Sequence, residues 1–265
     1  MDNRSIYLRK LILRALKGGG RGHIGSSMSL VEILRVLYDD VLYFDHKKPE
    51  KKNRDRLILS KGHGCLALYA ILCDKKFIKH EELDNFCKFN SILGGHPEKN
   101  KIPGVEYSTG SLGHGPGVGI GISLALKRNK INSNTYVIVG DGEINEGSCW
   151  EAFLTAKKHN LDNYIIIVDY NKIQSAGFTK DILDLEPLTK KFNAFNFDTY
   201  NIDGHNLKIL KKTFNKFKKN KKPKAVICNT IKGKGINFAE NNPNWHHLSK
   251  IDNETITQLE KALNK

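Results

Sequence analysis

Gly140-Asp141-Gly142 interrupts the apolar stretch of residues 136–143, and a second apolar stretch, residues 164–171, closes on Asn171. Asp141 offers a carboxylate and Asn171 an amide oxygen. If each ends a strand and one helix joins the two, a right-handed strand–helix–strand unit sets those ends side by side. Two oxygen groups so placed suit one hard cation. Mg2+ takes oxygen ligands at roughly 2.0–2.1 Å and completes its shell with phosphate oxygens and water. The glycines around Asp141 allow the backbone to approach a diphosphate closely, and a helix opening near Gly147 would turn its amino terminus toward negative charge. Histidine is the natural proton shuttle near neutral pH. Among the ten histidines, His23 (GHIG), His63 (SKGHG), His96 (GGHPE) and His246 (NWH) stand in compact motifs and are the candidates for such work. His46, His80, His159, His205 and His247 are expected to be structural or surface residues.

The elements that must position these groups follow from hydrophobic patterning. Residues 6–16 read as a helix stopped by Gly18-Gly19-Gly20, and Ser29 opens a second helical pattern, LVEILRVLYDDVL. DRLILSKGHG reads as a short strand ending in a glycine turn, and CLALYAILCD as a helix. The two apolar stretches are uninterrupted and flank the helical GSCWEAFLTAKKHN, the pattern of parallel strands covered on both faces. Residues 197–202 and 225–231 are two further strand candidates. The expected architecture is one α/β domain over residues 1–265, a doubly wound, mainly parallel sheet with helices on both faces. Ligands in such sheets sit at the carboxyl ends of the strands, where Asp141, Asn171, His63 and the TIKGKG run fall. No GxGxxG, GxxxxGK[ST], GxSxG or HExxH is present, so dinucleotide, P-loop, serine-hydrolase and zincin readings are set aside.

Composition narrows the classes further. The chain has 265 residues, 39% of them apolar, which suffices for a sizeable core. No apolar run reaches about 18 residues, so no membrane span is expected. The amino terminus lacks the features of a signal peptide, so a cytoplasmic location is expected. The five cysteines form no CxxC pair and are expected to be buried free thiols. The formal charge of +15 comes mostly from 35 lysines, beside only 8 arginines and 25 asparagines. Nine lysines lie within residues 208–224, where Ile209, Leu210, Phe214 and Phe217 recur at helical spacing, as in an amphipathic surface helix with a solvated face. A nucleic-acid-binding protein would instead show clustered arginines and stacking aromatics, so nucleic acid is not the expected partner.

GDGEINEGSCWEAF…IIIVDYNKIQ resembles the thiamine diphosphate motif. With GRGHIGSSMSLVEIL, RDRLILSKGHGCLALYAIL, LGGHPE, STGSLGHG and TIKGKG…NNPNWH, taken in chain order, the sequence resembles the amino-terminal half of the transketolase family. The resemblance implies a thiamine diphosphate-binding fold with bound Mg2+ (or Ca2+). It implies Asp141, Asn171 and the carbonyl of Ile173 as metal ligands. Gly142, His63 and Lys232 would contact the diphosphate, and Gly110 and Leu112 would lie under the aminopyrimidine. His23 and His246 would flank the diphosphate and the reacting end of the sugar, His96 would face the substrate, and Glu146 would lie at a subunit interface. His114 stands where relatives often carry Gln, and its role is left open.

The implied activity is transfer of a two-carbon ketol unit between sugar phosphates or related sugars. Full-length relatives continue into a pyrimidine-binding domain that supplies an activating glutamate. The resemblance therefore implies a split enzyme whose partner is a carboxy-terminal transketolase subunit, with two copies of each chain in the assembly. The α subunit of a 2-oxo acid dehydrogenase also carries GDG…N, but GHIG, SKGHG and GGHPE favour transketolase. A deoxyxylulose phosphate synthase-like enzyme shares some of the motifs.

Overall fold

The computed structural model describes residues 1–217 and 222–264, so residues 218–221 of the lysine run lie outside the described residues. In chain order the strands are β1 (Arg56–Leu59), β2 (Thr135–Gly140), β3 (Tyr164–Tyr170), β4 (Ile173–Gln174), β5 (Gly177–Phe178), β6 (Asp198–Asp203) and β7 (Lys224–Asn229). Five of them form one sheet in the order β1-β2-β3-β7-β6, every neighbouring pair parallel. β4 and β5 form a small antiparallel hairpin directly after Asn171.

β2 and β3 are buried along their whole length, as a sheet covered on both faces requires. The side chains of β2, β3 and β7 alternate between two cores. Ile138, Ile165, Ile167, Val226 and Cys228 join the core beneath α1 (Asn3–Gly19), α2 (Ile24–Ser29), α3 (Val31–Val36) and α4 (Cys65–Asp74). Val137, Val139, Ile166, Val168 and Ile227 face the other way, onto α6 (Gly115–Arg128), α7 (Gly147–Lys158) and α9 (Leu188–Ala194). α5 (His80–Leu83), α10 (Leu207–Lys216) and α11 (Asn253–Leu263) pack on the first side through Leu83, Leu210, Phe214, Ile256 and Leu259, and α8 (Thr179–Ile182) follows the β4–β5 hairpin.

The structure departs from the hydrophobic pattern in particular places. Helix begins at Ile24 rather than Ser29, then breaks at Leu30 before α3, and its continuation over Leu37–Val41 is a π-helical turn. The glycine-rich residues 110–123 supply most of α6. Pro116 at its first turn is pre-set for a helix start, and Gly119 lets the helix lie against Val137 and Tyr164. α7 does start at Gly147, but a 3-10 turn over Gly142–Asn145 separates it from Asp141. In α10, Leu210 and Phe214 are buried while Ile209 is exposed, so the apolar face is narrower than its spacing suggested. Four cysteines are buried free thiols and Cys87 is exposed. Among the described residues, no helix is long and apolar enough to cross a membrane.

Candidate active site

All five sheet strands deliver polar residues to one edge. β1 runs into Ser60-Lys61-Gly62-His63, β2 into Asp141, β3 into Asn171, β6 into Gly204-His205, and β7 into Thr230-Ile231-Lys232. The pairing of Gly140 with Asp169 places Asp141 and Asn171 on adjacent strand ends, as the strand–helix–strand argument requires.

The floor of the site is a buried carboxylate that spacing did not single out. Asp169, fully buried in β3, accepts from the Lys61 ammonium at 2.5 Å, from Ser29 Oγ at 2.6 Å, from the Thr230 hydroxyl and from Asn171 Nδ2 at 3.2 Å. Burial alone would raise its pKa, but Lys61 and these donors hold it below the ordinary carboxylate value. A carboxylate can only accept, so Asn171 must present its amide nitrogen to Asp169. The Asn171 amide oxygen is thereby turned the other way, where it accepts from the Ile173 amide at 3.2 Å.

Asp141 is 3% exposed and accepts from the amides of Gly142 at 2.8 Å and Lys172 at 2.6 Å, and from Thr179 Oγ1 at 3.2 Å. Its pKa is raised, chiefly by burial, with Lys61 opposing and the Asp169 charge adding. A buried carboxylate held up in this way gains from a nearby cation. The Ile173 carbonyl already faces one, because Lys232 Nζ donates to it at 2.7 Å. A carboxylate, an amide oxygen and a backbone carbonyl form an all-oxygen donor set that fits a hard divalent ion. The diphosphate side fits as well. A Cβ on Gly142 would stand 2.8 Å from Gln174 Cβ, so only glycine keeps this approach open. Beside it, Gln174 Nε2 is a buried donor with no partner among the described residues.

Around this floor stands a rim of imidazoles. His23, His63 and His246 have ring centroids 5.4–5.7 Å apart, and His96 lies 6.2 Å from His23. Lys232 Nζ lies 2.6 Å from His246 Nδ1. Burial, followed by the charges of neighbouring histidines and lysines, pushes His23 and His246 down to about 3 and His63 well below its usual value; burial lowers His96. Burial and the Lys61 charge likewise push Lys232 down to about 7. The rim is rich in groups that become cationic or donating when an anion arrives. Outside it lies a cleft of about 840 Å3 bordered by Arg21, His23, Phe86, His96 and His247.

The structure therefore gathers Asp141, Asn171, Ile173 and Gly142 on the floor and His23, His63, His96, His246 and Lys232 on the rim. Gly110, with φ of 142°, packs against the His96 ring, 3.1 Å from where its Cβ would be. Leu112 is half-buried, and its carbonyl accepts from His114 Nδ1 at 3.0 Å. His114 is exposed at the start of α6. Glu146 is exposed beside Gly113.

Three supporting groups are not visible in the sequence pattern. The Lys61–Asp169 pair is one; the charge within the apolar run IIIVDYN is its only trace there. Glu143 is the second. Buried, with its pKa raised by burial, it accepts from Ser60 Oγ and from the amides of Gly113 at 3.0 Å and Gly140 at 3.1 Å, tying the 110–113 loop to the β2 end. His205 is the third, and its structural assignment holds in a specific form. Its Nε2 accepts the Ile231 amide at 2.9 Å, so Nδ1 carries the proton and donates to Glu32 at 2.8 Å. Arg9 Nη1 and Nη2 in turn donate to Glu32 at 2.7 and 2.9 Å. That relay fixes the backbone just before Lys232.

Comparison with known proteins bears on this geometry. Residues 2–264 match the family description "Transketolase, thiamine diphosphate binding domain". The chain is 44% identical to one subunit of the apulose-4-phosphate transketolase of Actinobacillus succinogenes, over 96% of this chain and 92% of that one. It is 38% identical to a 6-deoxy-6-sulfo-D-fructose transketolase subunit of a Clostridium species, over 98% and 96%. A crystal structure of transketolase from Campylobacter jejuni superposes with a TM-score of 0.91 at 30% identity, over 100% of this chain and 43% of that chain.

Proposed function

This chain belongs to the transketolase family, and from that premise we propose that it is the diphosphate-binding subunit of a split, Mg2+-dependent transketolase that uses sugar phosphates or related sugars. The observation that carries this reading is the meeting, at one sheet edge, of an oxygen-only ligand set with a histidine and lysine rim. Asp141, Asn171 and the Ile173 carbonyl would hold the metal. Lys232 would then leave that carbonyl for the diphosphate, beside Gly142 and His63. Gly110 and Leu112 would support the aminopyrimidine.

When bound, thiamine diphosphate supplies the electron sink for breaking and making a carbon–carbon bond beside a carbonyl. The chain's own residues bind, orient and move protons around it. His23 and His246, held neutral, can take the proton from the donor sugar's hydroxyl as the aldehyde departs and give it to the carbonyl oxygen of the incoming acceptor aldehyde. His96, exposed at the cleft, can donate to the substrate carbonyl or hydroxyl. The carboxylate that activates the cofactor belongs, in this reading, to a pyrimidine-binding companion subunit, with two copies of each chain in the assembly. A cytoplasmic location suits these free thiols and sugar phosphate substrates.

The test is reconstitution. The chain alone, with thiamine diphosphate and Mg2+, is expected to transfer no ketol unit between sugar phosphates, whereas the chain with its companion subunit is expected to do so. Robust turnover by the isolated chain would refute the split-subunit reading.

A further inference from the structure

Behind the site lies a buried relay of charge that none of the steps above uses. Arg9 on α1 and Glu32 on α3 are buried, and the side chain of His205, just past β6, is 14% exposed. Burial would raise the Glu32 pKa, but the donors from His205 and Arg9 hold it down at about 2, so its charge is fixed.

The relay ends on one loop at two points. His205 Nε2 accepts the Ile231 amide at 2.9 Å, and Arg9 Nε donates to the Lys234 carbonyl at 2.8 Å. Lys232 lies between these two anchors. Within the bracket the Gly233 amide donates to the Gly25 carbonyl at 3.0 Å, and the Asn241 amide to the Lys232 carbonyl at 2.9 Å. A Cβ on Gly25 would stand 3.1 Å from Lys232 Cγ, so the lysine stem runs against the start of α2, beside His23. Arg9 Nη2 also donates to the Met28 carbonyl at 3.1 Å, tying α2 to the same relay. Buried ionic groups add little net stability over apolar residues of similar volume. What this relay supplies, and an apolar cluster would not, is a pair of fixed points on the backbone.

Lysine is a point charge on a flexible four-carbon stem, so its aim depends on where its backbone is held. We propose that Arg9, Glu32 and His205 are positioning residues that hold the loop on both sides of Lys232 and so aim its ammonium at the diphosphate, an inference that rests on the role given to Lys232 in the function proposed above.

Two measurements test it. In the purified full chain, hydrogen exchange at the Ile231 and Gly233 amides reads the loop directly. His205→Ala is expected to speed exchange there at least about tenfold, while the amides of β2 and β3 keep wild-type rates and show that the variant is folded. Wild-type rates at Ile231 and Gly233 would overturn the proposal. In the enzyme reconstituted with its companion subunit, calorimetric titration with thiamine diphosphate and Mg2+ reads what the loop does. Lys232→Met and His205→Ala are each expected to weaken binding about tenfold, the value of one hydrogen bond to a charged group. The double variant is expected to bind no more weakly than Lys232→Met alone, because a residue that acts through Lys232 has nothing further to lose. His205→Gln, which can accept from the amide and donate to Glu32, is expected to recover part of the loss. Wild-type affinity in His205→Ala, or losses that add in the double variant, would overturn the proposal. Wild-type affinity in Lys232→Met would overturn the role of Lys232 itself, whatever the exchange rates show, so the two failures are told apart.

Discussion

The floor and the rim of the site are built on opposite plans. On the floor, the buried Lys61–Asp169 pair is answered from within the fold: Lys61 by Asp169, and Asp169 by Lys61, Ser29, Thr230 and Asn171. On the rim, His23, His63, His246 and Lys232 crowd together with no carboxylate in hydrogen-bond contact among the described residues, and all four have depressed pKa values. The floor serves the fold first and sets the orientation of Asn171. The rim places donors where a ligand's negative charge is to come, at a cost in stability. Substitutions at the two places should therefore fail in different ways.

The largest effect is expected on the floor. Asp169→Asn leaves the Lys61 ammonium buried without its counter-charge, which costs about 3–5 kcal/mol when one partner of a buried pair is removed. Chemical denaturation should show it as a lower midpoint. Replacing both partners, Lys61→Met with Asp169→Leu, should cost less than Asp169→Asn alone; if the double variant is worse, the pair is not what makes the floor stable.

Asp141 lies between the two plans: its hydrogen bonds are satisfied, yet burial and Asp169 raise its pKa. Asp141→Ala should weaken binding of thiamine diphosphate with Mg2+ by at least about 100-fold, because one carboxylate ligand exceeds the 10–100-fold typical of outer-shell partners. The fold should survive, with a stability loss under about 1 kcal/mol, since the residue ends a strand and burial already disfavours its charge. Calorimetry that finds wild-type affinity in the variant would remove Asp141 from the metal site.

Within the rim, depth should sort the histidines. His63 is half-buried beside Lys61, whereas His96 is exposed on the cleft. In the reconstituted enzyme, His63→Ala should mainly weaken cofactor binding, and His96→Ala should mainly lower kcat at saturating cofactor, by about 10²–10⁴-fold if it assists proton transfer. Small, equal effects at both positions would make them structural residues.

What the sequence disclosed follows the same division. The rim histidines and the Asp141–Asn171 pair were legible because each sits in a local motif, and the sheet because its strands are unbroken apolar runs. Lys61 and Asp169 were not, because their contact joins distant segments and neither residue type announces a buried partner. α6 was hidden by its glycines, which weaken helix propensity but permit close packing on Val137 and Tyr164. His205 looked structural and is so, yet the Ile231 amide it holds is one residue from Lys232, a proximity created only by the fold.

The smallest expected effect separates floor from rim by pH. His23 and His246 have folded-state values of about 3, against an ordinary value near 6.5 in the unfolded chain. Because the folded value is the lower one, the unfolded state binds more protons below about pH 6.5. Their contribution is therefore fully favourable above that pH and is lost progressively as the pH falls toward the folded value. Asp169 is depressed as a carboxylate, so its stabilisation is retained until below about pH 4. Between pH 8 and pH 5 the loss should thus come from the rim, at about 1 kcal/mol per histidine after allowance for solvent screening. His23→Asn should flatten thermal stability against pH over this range. Inorganic pyrophosphate, by placing negative charge against the imidazoles, should raise their folded values and stabilise the chain more at pH 6 than at pH 8. A pyrophosphate effect that is flat with pH, or a His23→Asn variant as pH-sensitive as wild type, would mean that the rim's missing counter-charge is supplied from elsewhere in the fold.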